Sequence, residues 1–256
     1  MCGFINDIVD SIVDIVDDVV DIVVDVVDTA IGWLVPQPDI PEFGDNFAEQ
    51  QAKGVLVNKF TANGHIPIVY GTRKVGGNVV FLETSGTDNQ FLFMAVVLSE
   101  GEINGVTSLF VNDNQVTLSG TLTDGTQRTV ASSDVNFFDE SSLITVEAHF
   151  GTDSQSASTL LSSLSSWTSN HRLRGLAYLA IRFEWNADKF GSLPTVQAIV
   201  QGRKVYNPNL DGTLTGGSGS HRADTSTTWE FSDNPILQLL DYLRNERFGM
   251  GIPNSY

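Results

Sequence analysis

Glu147-Ala148-His149, with Asp153 close behind, is the cluster of chemistry-bearing side chains that invites a functional reading. A carboxylate and an imidazole so placed can hold a metal ion or divide acid and base work. Paired with Asp153, either Glu147 or Glu184 could also serve a glycan hydrolase, whose retaining form needs two carboxyls about 5–5.5 Å apart. No second ligand motif accompanies the cluster, and the plainer reading is a strand whose polar residues alternate to solvent. His65, His171 and His221 lack a partner pattern and read as turn or surface residues. No phosphate-binding P-loop, G-x-S-x-G or H-E-x-x-H occurs, so no catalytic, cofactor-binding or metal residue is assigned and no cofactor is implied. The single cysteine, Cys2, excludes an intrachain disulfide and a cysteine-based zinc site. Arg172, Arg174, Arg182, Arg203 and Lys204 are the nearest approach to a basic patch, and ion pairing with an acidic surface is their plainer use.

The elements that must position these residues belong to a chain of 256 residues with 41% apolar composition. That is enough for one large or two modest domains with real cores. Its 31 acids against 14 bases give a net charge of -17. Tight sequence-independent binding to duplex DNA needs clustered cations and is therefore not expected. The acids are unevenly placed. All eight Asp residues from Asp7 to Asp28, and four more acids, precede the first base, Lys53. The rest of the chain carries only about -5.

Residues 1–34 alternate Ile/Val pairs with aspartates. A strand would put acids on both faces, because four of the eight fall at odd and four at even positions. At 100° per residue all eight fall within an arc of roughly 100°, so a helix is predicted, about 45 Å long over residues 5–34. Its remaining arc, roughly 260°, is almost all Ile and Val and needs cover on several sides, as in a bundle. Asp7, Asp14, Asp21 and Asp28 repeat every seven, which fits a left-handed coiled coil. Ile8, Ile12, Ile15, Val19, Ile22 and Val26 are its candidate interface residues. The rival reading is a membrane-perturbing segment, disfavoured because the polar face is all Asp. Residues 35–54 hold three closely spaced prolines and form a semi-rigid linker, expected to keep the helix off its own body.

From residue 55 the texture is that of strands separated by Gly, Asn and Asp, which predicts a mainly β fold with two short helices. Strands are expected at 66–70, 78–84, 91–99, 108–111, 115–119, 175–185 and 195–202. Gly202-Arg203-Lys204 reads as a turn, 156–169 as a short helix, and 211–220 as a flexible loop. The apolar run to Trp185 should be a central strand, with Trp185 buried. Pro235 opens a helix whose apolar face is Ile236, Leu237, Leu239, Leu240 and Leu243, and Gly249 ends it. Arg73 and Lys74, beside Gly76-Gly77, suggest a loop aimed at an acidic neighbour.

Three stretches, in this order, carry a resemblance: Pro67-Ile68-Val69-Tyr70-Gly71-Thr72-Arg73-Lys74-Val75-Gly76-Gly77; Leu176–Trp185 followed by Val200-Gln201-Gly202-Arg203-Lys204-Val205-Tyr206-Asn207-Pro208; and Ser232-Asp233-Asn234-Pro235, then Asp241-Tyr242-Leu243, then Arg247-Phe248-Gly249-Met250-Gly251. Together they resemble the N-terminal part of the central tail-hub protein of long-tailed bacteriophages, the tail-tip or host-specificity protein J type. The resemblance implies two β-barrel-like hub domains interleaved in sequence, about 55–105 plus 195–256 and 106–194. It implies a homotrimeric virion protein without enzymatic activity at the distal end of the tail. It implies contacts with a hexameric distal tail or tube protein, the C-terminal end of the tape-measure protein, and tail fibre or tip proteins. Such a hub caps the tube and lines the path of DNA ejection without specific nucleic-acid binding. Family members run far longer, so this chain is expected to be the N-terminal portion of a longer protein.

Overall fold

The computed structural model describes residues 58–60, 64–134, 137, 143–190 and 192–253. The N-terminal helix, the linker at 35–54 and the candidates Ile8 to Val26 lie outside the described residues. The body is mainly β, as its composition predicts. Among the described residues ten strands run in chain order: β1 Thr72–Val75, β2 Asn78–Ser85, β3 Phe91–Glu100, β4 Ile103–Val111, β5 Asn114–Val116, β6 Gln127–Thr129, β7 Ile144–Phe150, β8 Leu176–Glu184, β9 Val196–Val205 and β10 Glu230–Phe231. One α-helix among the described residues, α1 Pro235–Arg244, follows them.

The strands form two antiparallel five-stranded sheets. One has the order β1-β9-β4-β5, with β10 pairing β9 beyond β1; the other has the order β2-β3-β8-β7-β6. The described strands form two open sheets rather than a closed barrel. They interleave in sequence and share a single core. Period-two alternation explains how. Leu92, Met94, Val96 and Leu98 of β3, with Ala177, Leu179, Ile181 and Phe183 of β8, point between the sheets onto Val106, Leu109, Val196, Ala198 and Val200. The odd residues of β3, Phe93, Ala95 and Val97, and Tyr178 and Ala180 of β8 point the other way, where Leu160, Leu161, Leu164 and Trp167 cover them. With both faces buried, β3 and β8 read as continuous apolar runs. β8 lies at the centre of its sheet, and Trp185 just beyond it is half-buried against the core.

Several local expectations are corrected. Residues 66–70 form no strand; the ladder begins at Thr72 after Gly71 adopts φ +61°. Asn104-Gly105, a pair of the kind that ordinarily separates strands, lies inside β4. Gly202-Arg203-Lys204 does not turn, since β9 continues to Val205. Gly202 is needed there because a side chain would overlap the Val69 carbonyl oxygen. The stretch 156–169 makes only a single 3₁₀ turn, Leu161–Ser163. α1 starts at Pro235 as predicted, with Asn234 capping the Ile236 N–H at 2.9 Å, but it stops at Asn245, not Gly249.

Candidate functional site

Glu147 and His149 are two residues apart on β7, so they share a face. They do not alternate to solvent: Glu147 is 1% exposed and His149 3%. The loop after β7 folds back over them and supplies the carboxylate with donors. Ser158 Oγ (2.9 Å) and Leu160 N–H (2.8 Å) donate to Oε2, as does Thr159 Oγ1 at 3.1 Å. Thr159 N–H donates to Oε1 at 3.2 Å, and His149 Nε2–H does so at 3.1 Å. The imidazole is stacked flat on Tyr178, with ring centroids 4.5 Å apart. Burial pushes the Glu147 carboxyl up, but the bonds from His149, Leu160, Ser158 and Thr159 outweigh it and hold the pKa down at about 2. Two carboxylate oxygens offer about four acceptor positions, and five donors already fill them. Glu147 therefore clamps a loop to a sheet and has no capacity left for a metal or a glycosidic oxygen. Asp153, its supposed partner, is exposed, and Glu184 is half-buried at the far end of β8.

The basic residues form no single patch. Arg203 pairs with Asp241 at 3.0 Å and Lys204 with Glu102 at 2.8 Å, which is the ion-pairing reading. Arg182 donates to Thr145 Oγ1 at 3.2 Å, and Arg172 to the Ser169 carbonyl at 2.9 Å. Arg73 and Lys74 lie on an edge strand, not a loop. Lys74 Nζ sits 4.1 Å over the Phe110 ring and 3.7 Å from Asp113. Arg73 is exposed and donates to the Thr72 carbonyl at 2.8 Å.

The three stretches that carry the resemblance meet at one place, where β9 runs on past the end of β1. Arg203 N–H donates to the Val69 carbonyl at 2.8 Å, and Gly202 N–H to the Gly71 carbonyl at 2.9 Å. Thr72 N–H donates to Asp233 Oδ1 at 2.7 Å, which ties β1 to the approach of α1. At the centre Asp241 of α1, 6% exposed, accepts from Arg203 Nε and from the Tyr70 hydroxyl. Burial and the Asp241 carboxylate push the Tyr70 phenol far above its usual range. Arg203 also lies 5.4 Å from the Phe248 ring, and Arg247 pairs with Glu100. A side chain at Gly249 would overlap the Tyr242 carbonyl oxygen, so the chain doubles back tightly here.

Residues 211–220 are organised around one acid. Asp211, 2% exposed, accepts from Tyr206 Oη (2.7 Å), Thr213 Oγ1 (2.6 Å), Thr213 N–H (2.9 Å) and Arg222 (3.1 Å). The Thr213 hydroxyl, then Tyr206 and the Thr213 amide, hold its carboxyl down at about 2. His221 accepts the Asn207 N–H through Nδ1 at 3.1 Å, and Gly212 N–H reaches the Gly219 carbonyl at 3.2 Å. Sequence reasoning missed this loop because one acid organises it, while the composition around that acid is Gly, Ser and Thr.

The chain is similar to the baseplate hub protein pb3 of Escherichia phage T5, 26% identical over an alignment 246 residues long that covers 80% of this chain and 25% of that protein. It thus spans about a quarter of the length of that relative. A chain in the solved virion of a native gene transfer agent particle matches 57% of this chain and 28% of its own length, at 15% identity and a TM-score of 0.41. No family model matches.

Proposed function

We propose that this chain is a structural hub component of a bacteriophage tail, and that it works as a homotrimer at the distal end of the virion's tail. The similarity to the pb3 baseplate hub protein, over 80% of the chain, carries this reading. In this role the trimer caps the tail tube beneath its hexameric protein and meets the C-terminal end of the tape-measure protein. It also links the tube to tip and fibre proteins and lines the DNA exit path of a siphophage-type particle. A net charge of -17 suits a conduit to which DNA must not adhere. A hub of the host-specificity protein J type is the finer form of the same proposal. The reading is non-enzymatic, and the chain's best acid–base candidate, Glu147, is spent on holding a loop.

Two measurements test it. Immunogold electron microscopy with antibody to the β body should label particles at the distal tip of the tail; particles without label overturn the assignment. Light scattering on the purified chain should give three times 27.8 kDa. A monomer that releases sugar ends from bacterial glycans would instead favour the hydrolase.

A further inference from the structure

Helix α1 is packed on a mixed stripe of Leu237, Asp241 and Arg244. Leu237 and Asp241 are its buried residues, and Arg244 reaches inward over the Tyr206 ring at 5.1 Å and to the Ala223 carbonyl at 3.2 Å. The opposite stripe, Ile236, Leu239, Leu240 and Leu243, has the i, i+3, i+4, i+7 spacing that ordinarily faces a core. Here Ile236 is 73% exposed and Leu239 55%. Tyr242, Met250 and Ile252 extend the exposed surface. The returning chain is held beside the helix end by Met250 N–H to the Tyr242 carbonyl and Ile252 N–H to the Leu243 carbonyl, at 3.2 and 2.9 Å. Ile236, Leu239, Tyr242, Met250 and Ile252, all exposed on the helix and the chain returning beside it, are more than the scattered single apolar residues an ordinary surface shows. Asp241, Asp233 and their partners fix the orientation of this surface, so the helix cannot roll over to bury it.

One segment of the chain needs such a surface. Residues 5–34 read as a helix with an Ile/Val arc of roughly 260°, too wide for any single contact. Their apolar residues recur at the three- and four-residue spacing of α1, the match that lets two helices interdigitate. The connection also reaches. The described chain is anchored at Asn58, whose side chain bonds both the Val196 carbonyl (2.9 Å) and the Val196 N–H (2.6 Å), at the Val75 end of β1. The approach to α1 is pinned at the Thr72 end of the same strand, only about 10 Å away. Residues 35–57 extend to at most about 75 Å, so the segment can reach this helix with length to spare.

We propose that the exposed apolar stripe of α1 is the docking surface for the Ile/Val face of residues 5–34 of this chain. α1, about 15 Å long, covers part of one side of a helix about 45 Å long. The uncovered Ile/Val surface remains available for association with other copies. The proposal departs from the expectation that the linker keeps the segment off the body. The proposal does not depend on the hub reading.

The test uses the full chain with Cys2→Ser and Leu239→Cys. A second cysteine is placed in turn at Ile8, Ile12, Ile15, Val19, Ile22 or Val26, with Asp14→Cys and Asp21→Cys as controls. Mild oxidation should crosslink a contiguous set of the Ile/Val positions to residue 239 well above the Asp controls. Single-chain or double-chain mass then tells whether the segment comes from the same copy or a neighbour. Yields no higher than the controls overturn the proposal. So does a Leu239→Cys chain that crosslinks only to another residue 239, which would make a second copy of α1 the occupant. Independently, Ile236→Asp with Leu239→Asp should speed amide exchange in residues 5–34 by about tenfold or more while β3 and β8 stay protected. Unchanged exchange in that segment refutes the docking.

Discussion

Replacing Glu147 with Gln tests the clamp with almost no change of volume. The wild-type carboxylate is 1% exposed and accepts five hydrogen bonds. Gln removes the charge and turns one acceptor oxygen into an NH₂ that faces donors. In the folded chain the Glu147 pKa is about 2, against an ordinary 4.5. That difference corresponds to roughly 3 kcal/mol of stability at neutral pH. Because the folded pKa is the lower one, the contribution is complete above about pH 5 and is lost as pH falls from there toward 2. Urea unfolding at pH 7 should therefore show Glu147→Gln less stable by about 3–4 kcal/mol. At pH 2.5 the gap should narrow to about 1 kcal/mol, since the unfolded wild-type chain then binds a proton at Glu147 that the folded chain still mostly lacks, and most of the linked stability is gone. The comparison isolates this residue, because other carboxylates titrate alike in both proteins. A gap below about 1 kcal/mol at pH 7, or equal pH slopes below pH 5, would refute the clamp.

Gly202→Ala should cost more than about 3 kcal/mol, because the new methyl overlaps the Val69 carbonyl backbone; a thermal midpoint within a degree or two of wild type rejects that. Burial raises the phenol pKa of Tyr70, Tyr178 and Tyr206, the last to about 12, so an ultraviolet titration should leave three of the five tyrosines un-ionised at pH 11. Stability should fall above pH 10, where the unfolded phenols release protons that the folded ones keep, and ionisation of all five near pH 10 contradicts the burial. Arg73→Glu with Lys74→Glu should change stability by less than about 1 kcal/mol, since the Lys74–Asp113 pair is exposed. If β1 is an assembly edge, the same variant should lose trimer by light scattering; full assembly with normal folding removes it from the interface.

What was legible in the sequence depended on whether a signal is local. β3 and β8 are apolar on both faces because both are covered, and continuous apolar runs need no outside information to read. β6, with Gln127, Arg128 and Thr129, has no apolar residue and exists only because β7 offers an edge. Gly202 shows the opposite difficulty: a glycine that turns the chain and one that admits a neighbouring backbone look alike until Val69 is in place. The Glu147 clamp was invisible for the same reason, since most of its donors come from residues 158–160 of a loop that must first fold back. In α1 the apolar stripe was plain, but which side faces the body was decided by Tyr70 and Arg203, 171 and 38 residues away from Asp241.

That last dependence also explains why three weak stretches carry weight only in combination. Each supplies one member of a group that cannot be satisfied alone. Asp241 is a buried acid and would be costly without a cation and a donor. Arg203 supplies the cation from the second stretch, and Tyr70 the hydroxyl from the first. Arg203 reaches Asp241 along β9 only because Gly202 lets the Val69 strand lie against it, and Val69 is in turn the residue before Tyr70. The third stretch closes the circuit through Asp233, which holds Thr72. Losing Arg203 leaves Asp241 without its cation, and a side chain at Gly202 meets the Val69 carbonyl, so these residue types depend on one another rather than acting one by one. The unit so fixed is one of packing and orientation: it sets the angle of α1 and leaves its apolar stripe outward. A helix held at a fixed angle with its apolar stripe outward presents a surface, and that favours the search for partners of α1 over a search for substrates of Glu147.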